Sequence, residues 1–440
     1  MDLVFLRLDL IAAITVTEHG IPDQIFFAHL LPETSNNKNW AILPPIQYGN
    51  LNIDCHKLIL SLEDEFAKKA SVQKIEGVDG AILISVTTAP KRLAIESMEE
   101  LKDLARSSGT HVVDTIIQHR KGDPRFLLGK GKLSELVILA LQRGANLLIF
   151  DQNLNPSQVR SITDMTELKV IDRTQLILDI FARRARTREG KIQVELAQLK
   201  YLSPRLIEKN TAMSRLTGGI GGRGPGETKL EINRRRVRDR IRQLEKELHT
   251  IRKQRAQRRA KRKKKGLPII SIVGYTNAGK STLLNTLTKS DILTENRLFA
   301  TLDPTSRRLK FPRDTEAIIT DTVGFIRDLP DDLVAAFRAT LEELEDADLL
   351  LHVIDISSPR LIQQIESVEQ ILESLHLNHI PTLRVLNKLD LVEKDFAEIR
   401  SHKFNAIAIS AIDTKTLKPL IEAMEERIRS LAPLASSSRT

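Results

Sequence analysis

One cysteine, Cys55, stands in the 440-residue chain, so no internal disulfide can form and a reducing compartment is the expected setting. Alone, Cys55 reads as a small apolar residue. Aromatic residues make up only 4% of the chain, with one tryptophan and three tyrosines, which leaves the cores to aliphatic side chains. No uninterrupted apolar run is long enough to span a bilayer. The opening Met1–Val16 is apolar but carries Asp2, Arg7 and Asp9, with no small-residue cleavage pattern. A strand is expected there rather than a signal peptide, and a cytoplasmic protein without a transmembrane segment.

The length allows two or three domains, each with its own core. The formal net charge of +10 is unevenly placed. Between Lys229 and Lys265 there are 18 Lys/Arg against 4 Asp/Glu, so this segment alone carries +14 and the remainder about −4. Any surface for a polyanion is to be sought there.

Residues 1–80 show apolar runs, a loop-like Pro32–Asn39 and a helix-like stretch at Leu58–Ala70. From 81 to 174 strands alternate with helices: Ala81–Val86, Ser97–Ser107, Val112–Ile117, Lys132–Arg143, Leu147–Phe150, Pro156–Met165 and Val170-Ile171. This alternation predicts a small, mostly parallel α/β subdomain. Within it Phe126–Lys132 has the look of a weak phosphate loop, though a βα turn with solvated lysines explains it better. The period then becomes helical from Thr174 to about Asn210, with Ile192, Leu196, Leu199, Leu202 and Leu206 in one stripe. After the glycine-rich Thr217–Gly226 a second seam follows: Leu230, Val237, Ile241, Leu244, Leu248 and Ile251. An antiparallel hairpin is expected over 175–266, with a non-helical tip at 217–227 and a basic second helix of roughly 55 Å. A phosphate-loop domain of α/β class, with a mostly parallel sheet, is expected over 267–431, and a tail at 432–440.

The stretch that organises the chain is Gly274-Tyr-Thr-Asn-Ala-Gly-Lys-Ser281, between the apolar run Ile269–Val273 and the helical Thr282–Leu287. Strand, glycine loop and helix in that order make a phosphate cradle. Lys280 is placed to reach the β- and γ-phosphates and the Ser281 hydroxyl to hold Mg²⁺. Downstream, Asp321-Thr-Val-Gly324 ends an apolar strand; Asp321 is the candidate to hold Mg²⁺ through water, and the Gly324 N–H to sense the γ-phosphate. Asn387-Lys-Leu-Asp390 follows another strand, where the Asp390 carboxylate can accept both guanine N1–H and N2–H, a donor pair adenine lacks. Ser410-Ala411 ends the last strand, where backbone N–H groups meet guanine O6. Ligands bind at the C-terminal ends of strands in open α/β sheets, and the expected ligand is GTP. The position after Gly324 is Phe325, followed by Ile326 and Arg327. No glutamine is present there to orient an attacking water, so slow intrinsic turnover is expected.

Phe299-Ala-Thr-Leu-Asp-Pro-Thr305, Asp321-Thr-Val-Gly-Phe-Ile-Arg327 and Gly219-Ile-Gly-Gly-Arg-Gly-Pro-Gly-Glu227, with Ile171-Asp-Arg-Thr174, Ile177–Phe181 and Val194–Gln198, resemble the HflX GTPases of the Obg–HflX superfamily. The resemblance covers about residues 80–430. It implies GTP hydrolysis to GDP and phosphate, and binding to the large (50S) ribosomal subunit and its rRNA, with splitting of stalled or idle ribosomes under stress as the expected use. It favours Thr301 over Thr305 as the switch threonine on Mg²⁺. The implied nucleotide contacts are Gly274, Tyr275, Thr276, Asn277, Ala278, Gly279, Lys280, Ser281 and Thr282; Phe299, Ala300, Thr301, Leu302 and Asp303; Asp321, Thr322, Val323 and Gly324; Asn387, Lys388, Leu389 and Asp390; and Ser410, Ala411 and Ile412. Lys280, Thr301 and Gly324 are the candidate catalytic groups. Asn277 is the candidate ligand for an activating K⁺, with a plain loop cap as the equal alternative. Residues 1–80 match the family poorly, and the extra C-terminal domain of some members is not expected after Ile421–Ile428. A monomer is expected. Two other uses stay open: a GTP-gated RNA-binding module with little turnover, and an ATP-dependent RNA remodeller working through the N-terminal domain.

Overall fold

Strands β1 (Leu10–Val16), β2 (Pro22–Ser35) and β3 (Lys38–Ile42) lie antiparallel in that order, and β4 (Ile46–Gln47) adds to β2. The computed structural model describes residues 8, 10–35, 38–73, 80–208, 229–263, 267–288, 298–299, 305–313, 315–322, 324–327 and 344–431, in two units, Met1–Leu176 and Ile177–Thr440. Alternation along β2 decides which face is covered: Ile25, Phe27 and His29 are buried, while Gln24, Phe26 and Ala28 are half-buried. The loop expected over Pro32–Asn39 is corrected, since β2 runs on to Ser35 and β3 begins at Lys38. The ladder shifts register between Leu30 and Ser35, and Pro32, which has no N–H to donate, falls within that shift. Helix α1 (Cys55–Gln73) contains the helical stretch read from the sequence.

The rest of the first unit is the parallel sheet that the alternation predicts. Its elements are β5 (Gly80–Thr87), α2 (Lys91–Ser107), β6 (His111–His119), α3 (Lys130–Arg143), β7 (Leu147–Phe150), α4 (Pro156–Thr166) and β8 (Lys169–Asp172). The strand order is β6-β5-β7-β8, all parallel. Six consecutive residues of β5, Ala81–Val86, are buried, as a strand covered on both faces requires. Helix α3 stops at Gly144, whose φ of 64° is a left-handed cap. Asn155 and Gln158 form a capping box that starts α4, with Pro156 in its first turn. In the loop before α3, the Gly129 N–H already donates to Gln118 Oε1, and Arg120 Nη1 lies 2.4 Å from where a Gly129 β-carbon would be. At the C-terminal end of the sheet the Arg173 guanidinium meets Glu100 at 2.9 Å and Asp151 at 3.0 Å, and Ser97 Oγ donates to Asp151 at 2.6 Å. All three charged side chains are buried.

Helix α5 (Arg173–Arg184) leads on to α6 (Arg188–Glu208). The single helical stretch expected from Thr174 to about Asn210 is therefore two helices. Thr187 Oγ1 accepts the Gly190 N–H, which caps α6 and ends the earlier run. Helix α7 (Lys229–Lys263) spans 35 residues, about 50 Å. Arg188 pairs with Glu247 and Arg240 with both carboxylate oxygens of Glu195, so α6 and α7 run antiparallel. Their seam buries Ile192, Leu196, Leu244 and Leu248, with Leu199, Ile241 and Ile251 packed beside them. Leu202, read as part of the stripe, is 39% exposed and lies outside the buried seam. The glycine-rich tip and the side chain of Leu206 lie outside the described residues.

The remainder of the second unit is a six-stranded sheet built from β9 (Ile269–Gly274), β10 (Thr305–Lys310), β11 (Glu316–Asp321), β12 (Leu349–Asp355), β13 (Thr382–Asn387) and β14 (Ala406–Ala408). Its order is β10-β11-β9-β12-β13-β14, with β10 antiparallel and the others parallel. Helices α8 (Lys280–Thr288), α9 (Leu361–Ser374), α10 (Lys394–Phe404) and α11 (Lys418–Leu431) accompany it. One side of the core packs Ile270, Ile272 and Leu351 with Leu283, Leu420 and Met424; another packs Val273 and Leu350 with Val368 and Leu372.

Candidate nucleotide site

The phosphate loop is fixed by backbone conformations that few residues accept. Gly274 ends β9 with φ 151°, and a β-carbon there would lie 2.2 Å from the carbonyl oxygen of Val353 on β12. Asn277 and Gly279 have φ of 62° and 88°, the left-handed region that asparagine and glycine tolerate best. The loop turns through these positions and delivers Lys280 to the first residue of α8, where free N–H groups and the helix dipole favour an anion. Asn277 is exposed.

Lys280 is buried, and its ammonium donates to the carbonyls of Gly274 at 3.1 Å and Tyr275 at 2.7 Å. Burial pushes its pKa down to about 8, against a smaller upward pull from Asp321. Ser281 Oγ donates to Asp321 Oδ2 at 2.6 Å. Thr322 anchors the chain after Asp321: its hydroxyl donates to Ile272 O and its N–H to Asp321 Oδ1. A hydroxyl and a carboxylate side by side, next to a loop shaped for phosphates, form the hard oxygen donor set that suits Mg²⁺. Among the described residues no group of three His, Cys, Asp or Glu side chains is gathered as a metal centre of any other kind. Thr305, the alternative switch threonine, stands opposite Asp321 in the β10–β11 ladder. Ala300, Thr301, Leu302, Asp303 and Val323 lie outside the described residues. Phe299 is buried with φ 57°, its ring edge-on to Phe181 of α5 at 4.5 Å between centroids.

At the other end Asn387 ties the site together. Its Nδ2 donates to Ala278 O at 2.8 Å, and its Oδ1 accepts the Ala411 N–H at 2.9 Å. Phosphate loop, β13 and the turn after β14 thus meet on one buried carboxamide. Asp390, by contrast, is exposed, and Ser410 Oγ donates to its Oδ1. Lys388, at φ 68°, pairs with Asp355 at 2.7 Å; Leu389 is half-buried and Ile412 exposed. The carboxylate left facing outward is the one that guanine recognition calls for.

Phe325 does not face this site. Its ring is buried with Val273, Leu344, Leu350 and Val368. Only its backbone takes part, since Phe325 O accepts the Thr276 N–H at 2.7 Å and Phe325 N–H donates to Gly274 O at 3.1 Å. Gly324 is packed so closely that a β-carbon would come within 2.9 Å of Lys280 Nζ and 2.8 Å of Thr276 Cγ2. Sequence reasoning missed three features: the double tie made by Asn387, the Tyr275 hydroxyl that accepts the Arg327 N–H, and Thr276, whose buried hydroxyl has no hydrogen-bond partner. Each leaves a signal in the chain only as a residue already named among the nucleotide contacts.

Three family models and several named relatives match the chain. Residues 95–182 match the model described as GTP-binding GTPase N-terminal, 184–262 the GTP-binding GTPase Middle Region, and 269–388 the 50S ribosome-binding GTPase. GTPase HflX of Caldanaerobacter subterraneus subsp. tengcongensis is 48% identical over 349 residues, 79% of this chain and 80% of that one. GTPase HflX of Escherichia coli K12 is 46% identical over 338 residues, 76% of this chain and 79% of that one. A solved GTP-binding protein from Sulfolobus solfataricus, in complex with GDP, is 27% identical and covers 81% of this chain and 99% of that one, at a TM-score of 0.43.

Proposed function

Because the chain belongs to the GTPase HflX family, we propose that it is a ribosome-associated factor that binds the large ribosomal subunit and its rRNA, and uses GTP to split stalled or idle ribosomes under stress. Hydrolysis of GTP belongs to the family; the ribosomal role is the reading argued here. The observation that carries it is helix α7, Lys229–Lys263, held antiparallel to α6, in a segment that has 18 Lys/Arg against 4 acids from Lys229 to Lys265. So dense a basic stripe is suited to neutralising phosphates. At its far end Gly218–Gly226 holds six glycines, Pro225 and Arg223. Such a backbone can approach packed RNA closely, with N–H groups and Arg223 meeting phosphates or stacking on bases.

In this reading 175–266 is the RNA-facing part and 267–431 the nucleotide part. Mg²⁺ is held by Ser281 and Thr301 and, through water, by Asp321; Lys280 and the Gly324 N–H meet the γ-phosphate, and Asp390 reads guanine. The protein acts as a cytoplasmic monomer; no helix among the described residues is long and apolar enough to cross a membrane.

The experiment is GTP hydrolysis with and without purified 50S subunits. Replacing 218–226 by a tight turn is expected to leave basal hydrolysis intact and abolish the stimulation. Replacing several of Arg252–Lys265 is expected instead to weaken binding with a reduced salt slope. Normal binding and stimulation after shortening would make the tip a linker only. A second reading, a GTP-gated RNA-binding module that turns over rarely, draws on Phe325, whose ring lies in the core and cannot orient a water; equal rates with and without 50S subunits would favour it.

A further inference from the structure

Thr276 is 5% exposed, and its Oγ1 is buried with no hydrogen-bond partner. A hydroxyl in that state destabilises a fold, and a valine of the same shape would avoid the penalty. Buried polar groups left unsatisfied call for an explanation, of which a catalytic role is one.

The surroundings supply it. The backbone bonds between Thr276 and Phe325 and between Phe325 and Gly274 zip the phosphate loop to the chain after Gly324. A β-carbon at 324 would lie 2.8 Å from the Thr276 methyl, Cγ2, and 2.9 Å from Lys280 Nζ, so only glycine fits there. The switch glycine and the lysine ammonium are therefore packed against Thr276, whose hydroxyl shares a carbon with that methyl. Lys280 is the residue that meets the terminal phosphate in a loop of this kind. The residue after Gly324 contributes no side chain there, because the Phe325 ring lies in the core.

We propose that Thr276 is a catalytic residue: its hydroxyl accepts a hydrogen bond from the attacking water and donates one to a γ-phosphate oxygen, the part a glutamine would otherwise play. One hydroxyl can do both, having a donor and two acceptor lone pairs. As the water oxygen bonds to the γ-phosphorus, the bond from that phosphorus to the β–γ bridging oxygen breaks and the electron pair leaves on GDP. One water proton stays on the new P–OH, and the other passes to a γ-phosphate oxygen. Thr276 is neither consumed nor charged; it sets the direction of the water's lone pair. The inference rests on the nucleotide reading of the loop but not on the ribosomal one, since it concerns basal turnover.

The test compares Thr276→Val and Thr276→Ser in the full chain without ribosomes. For Thr276→Val, kcat is expected to fall by at least about tenfold, while KM for GTP and the affinity for a fluorescent GDP analogue stay within about threefold. Its melting temperature without nucleotide is expected to hold or rise, because the orphaned hydroxyl is gone. Thr276→Ser is expected to keep kcat within about threefold of the unaltered chain. Three results would each overturn the proposal: wild-type turnover in Thr276→Val, a fall in kcat matched by a fall in melting temperature, or a loss in Thr276→Ser as deep as in Thr276→Val. If the unaltered chain bound no GTP, the nucleotide reading itself would fall, and this proposal with it.

Discussion

Asn387 Nδ2 lies 2.2 Å from the point where a β-carbon on Gly279 would be. The amide cannot step aside freely, because it is bonded to Ala278 O and its oxygen to the Ala411 N–H. Gly279→Ala must therefore break this tie or distort a loop already at φ 88°. Affinity for both GTP and GDP is expected to fall more than tenfold, with a stability loss of about 1–3 kcal/mol. Isothermal titration and thermal melting measure the two effects; wild-type affinity would mean that the tie is dispensable.

Lys280 links nucleotide binding to pH. Its folded pKa is about 8 against the usual 10.5, so between these values the unfolded chain holds more protons than the folded one. Stability of the nucleotide-free protein is expected to rise as pH climbs from about 8 to about 10.5. Phosphates restore the proton, so GTP binding near pH 9 should take up close to one proton. Calorimetry in buffers of different ionisation heat reads that uptake directly; buffer-independent heats would contradict it.

His352 acts in the same direction at lower pH. It is buried on β12 opposite Arg384, and burial, then Arg384 and Lys280, push its pKa down to about 3. The unfolded chain takes up a proton below about 6.5 while the folded one does not. Stability is therefore lost as pH falls from about 6.5 towards 3, by up to about 1.4 kcal/mol per pH unit. His352→Phe is expected to flatten that part of the melting-temperature profile, and an unchanged profile would remove His352 as its source.

Asp390 should decide the base. Its exposed carboxylate, which already accepts the Ser410 hydroxyl on Oδ1, has lone pairs left for both guanine donors, and mismatching one of them costs about 1–3 kcal/mol. Asp390→Asn is expected to weaken GTP binding by that amount and to favour xanthosine triphosphate. Competition between the two nucleotides measures the exchange; equal discrimination before and after would sink the assignment.

Asn277 offers a clean separation of backbone from ligand. At φ 62° glycine can replace it without strain. If the amide holds an activating K⁺, Asn277→Gly loses any excess of the rate in KCl over NaCl. If only the turn matters, the variant behaves as the unaltered chain in both salts.

The phosphate loop, the strand ends and the parallel sheets could be read directly because chemistry dictates their residue types at fixed spacing. Position 325 could be read only in part: the chain names a phenylalanine, but not that its ring turns into the core. Leu202 fits its stripe by spacing, yet it is left 39% exposed, because spacing along one helix does not fix what its partner covers. Pro32 marks a break in most contexts, and only the partner strand shows that a register shift absorbs it. Asn387 joins residues 109 and 24 positions away, a relation no local pattern contains.

The ion triad of Arg173, Glu100 and Asp151 also bears on how the chain can change over time. Each residue sits on a different element, α5, α2 and the end of β7, and all are buried. Losing Arg173 leaves two buried carboxylates without a counterpart, a penalty of about 3–5 kcal/mol, whereas exchanging all three for apolar residues of similar volume is often neutral. A path that begins with loss of the arginine is therefore closed even where the end point is open. These three positions, far apart in the gene, form a single heritable unit.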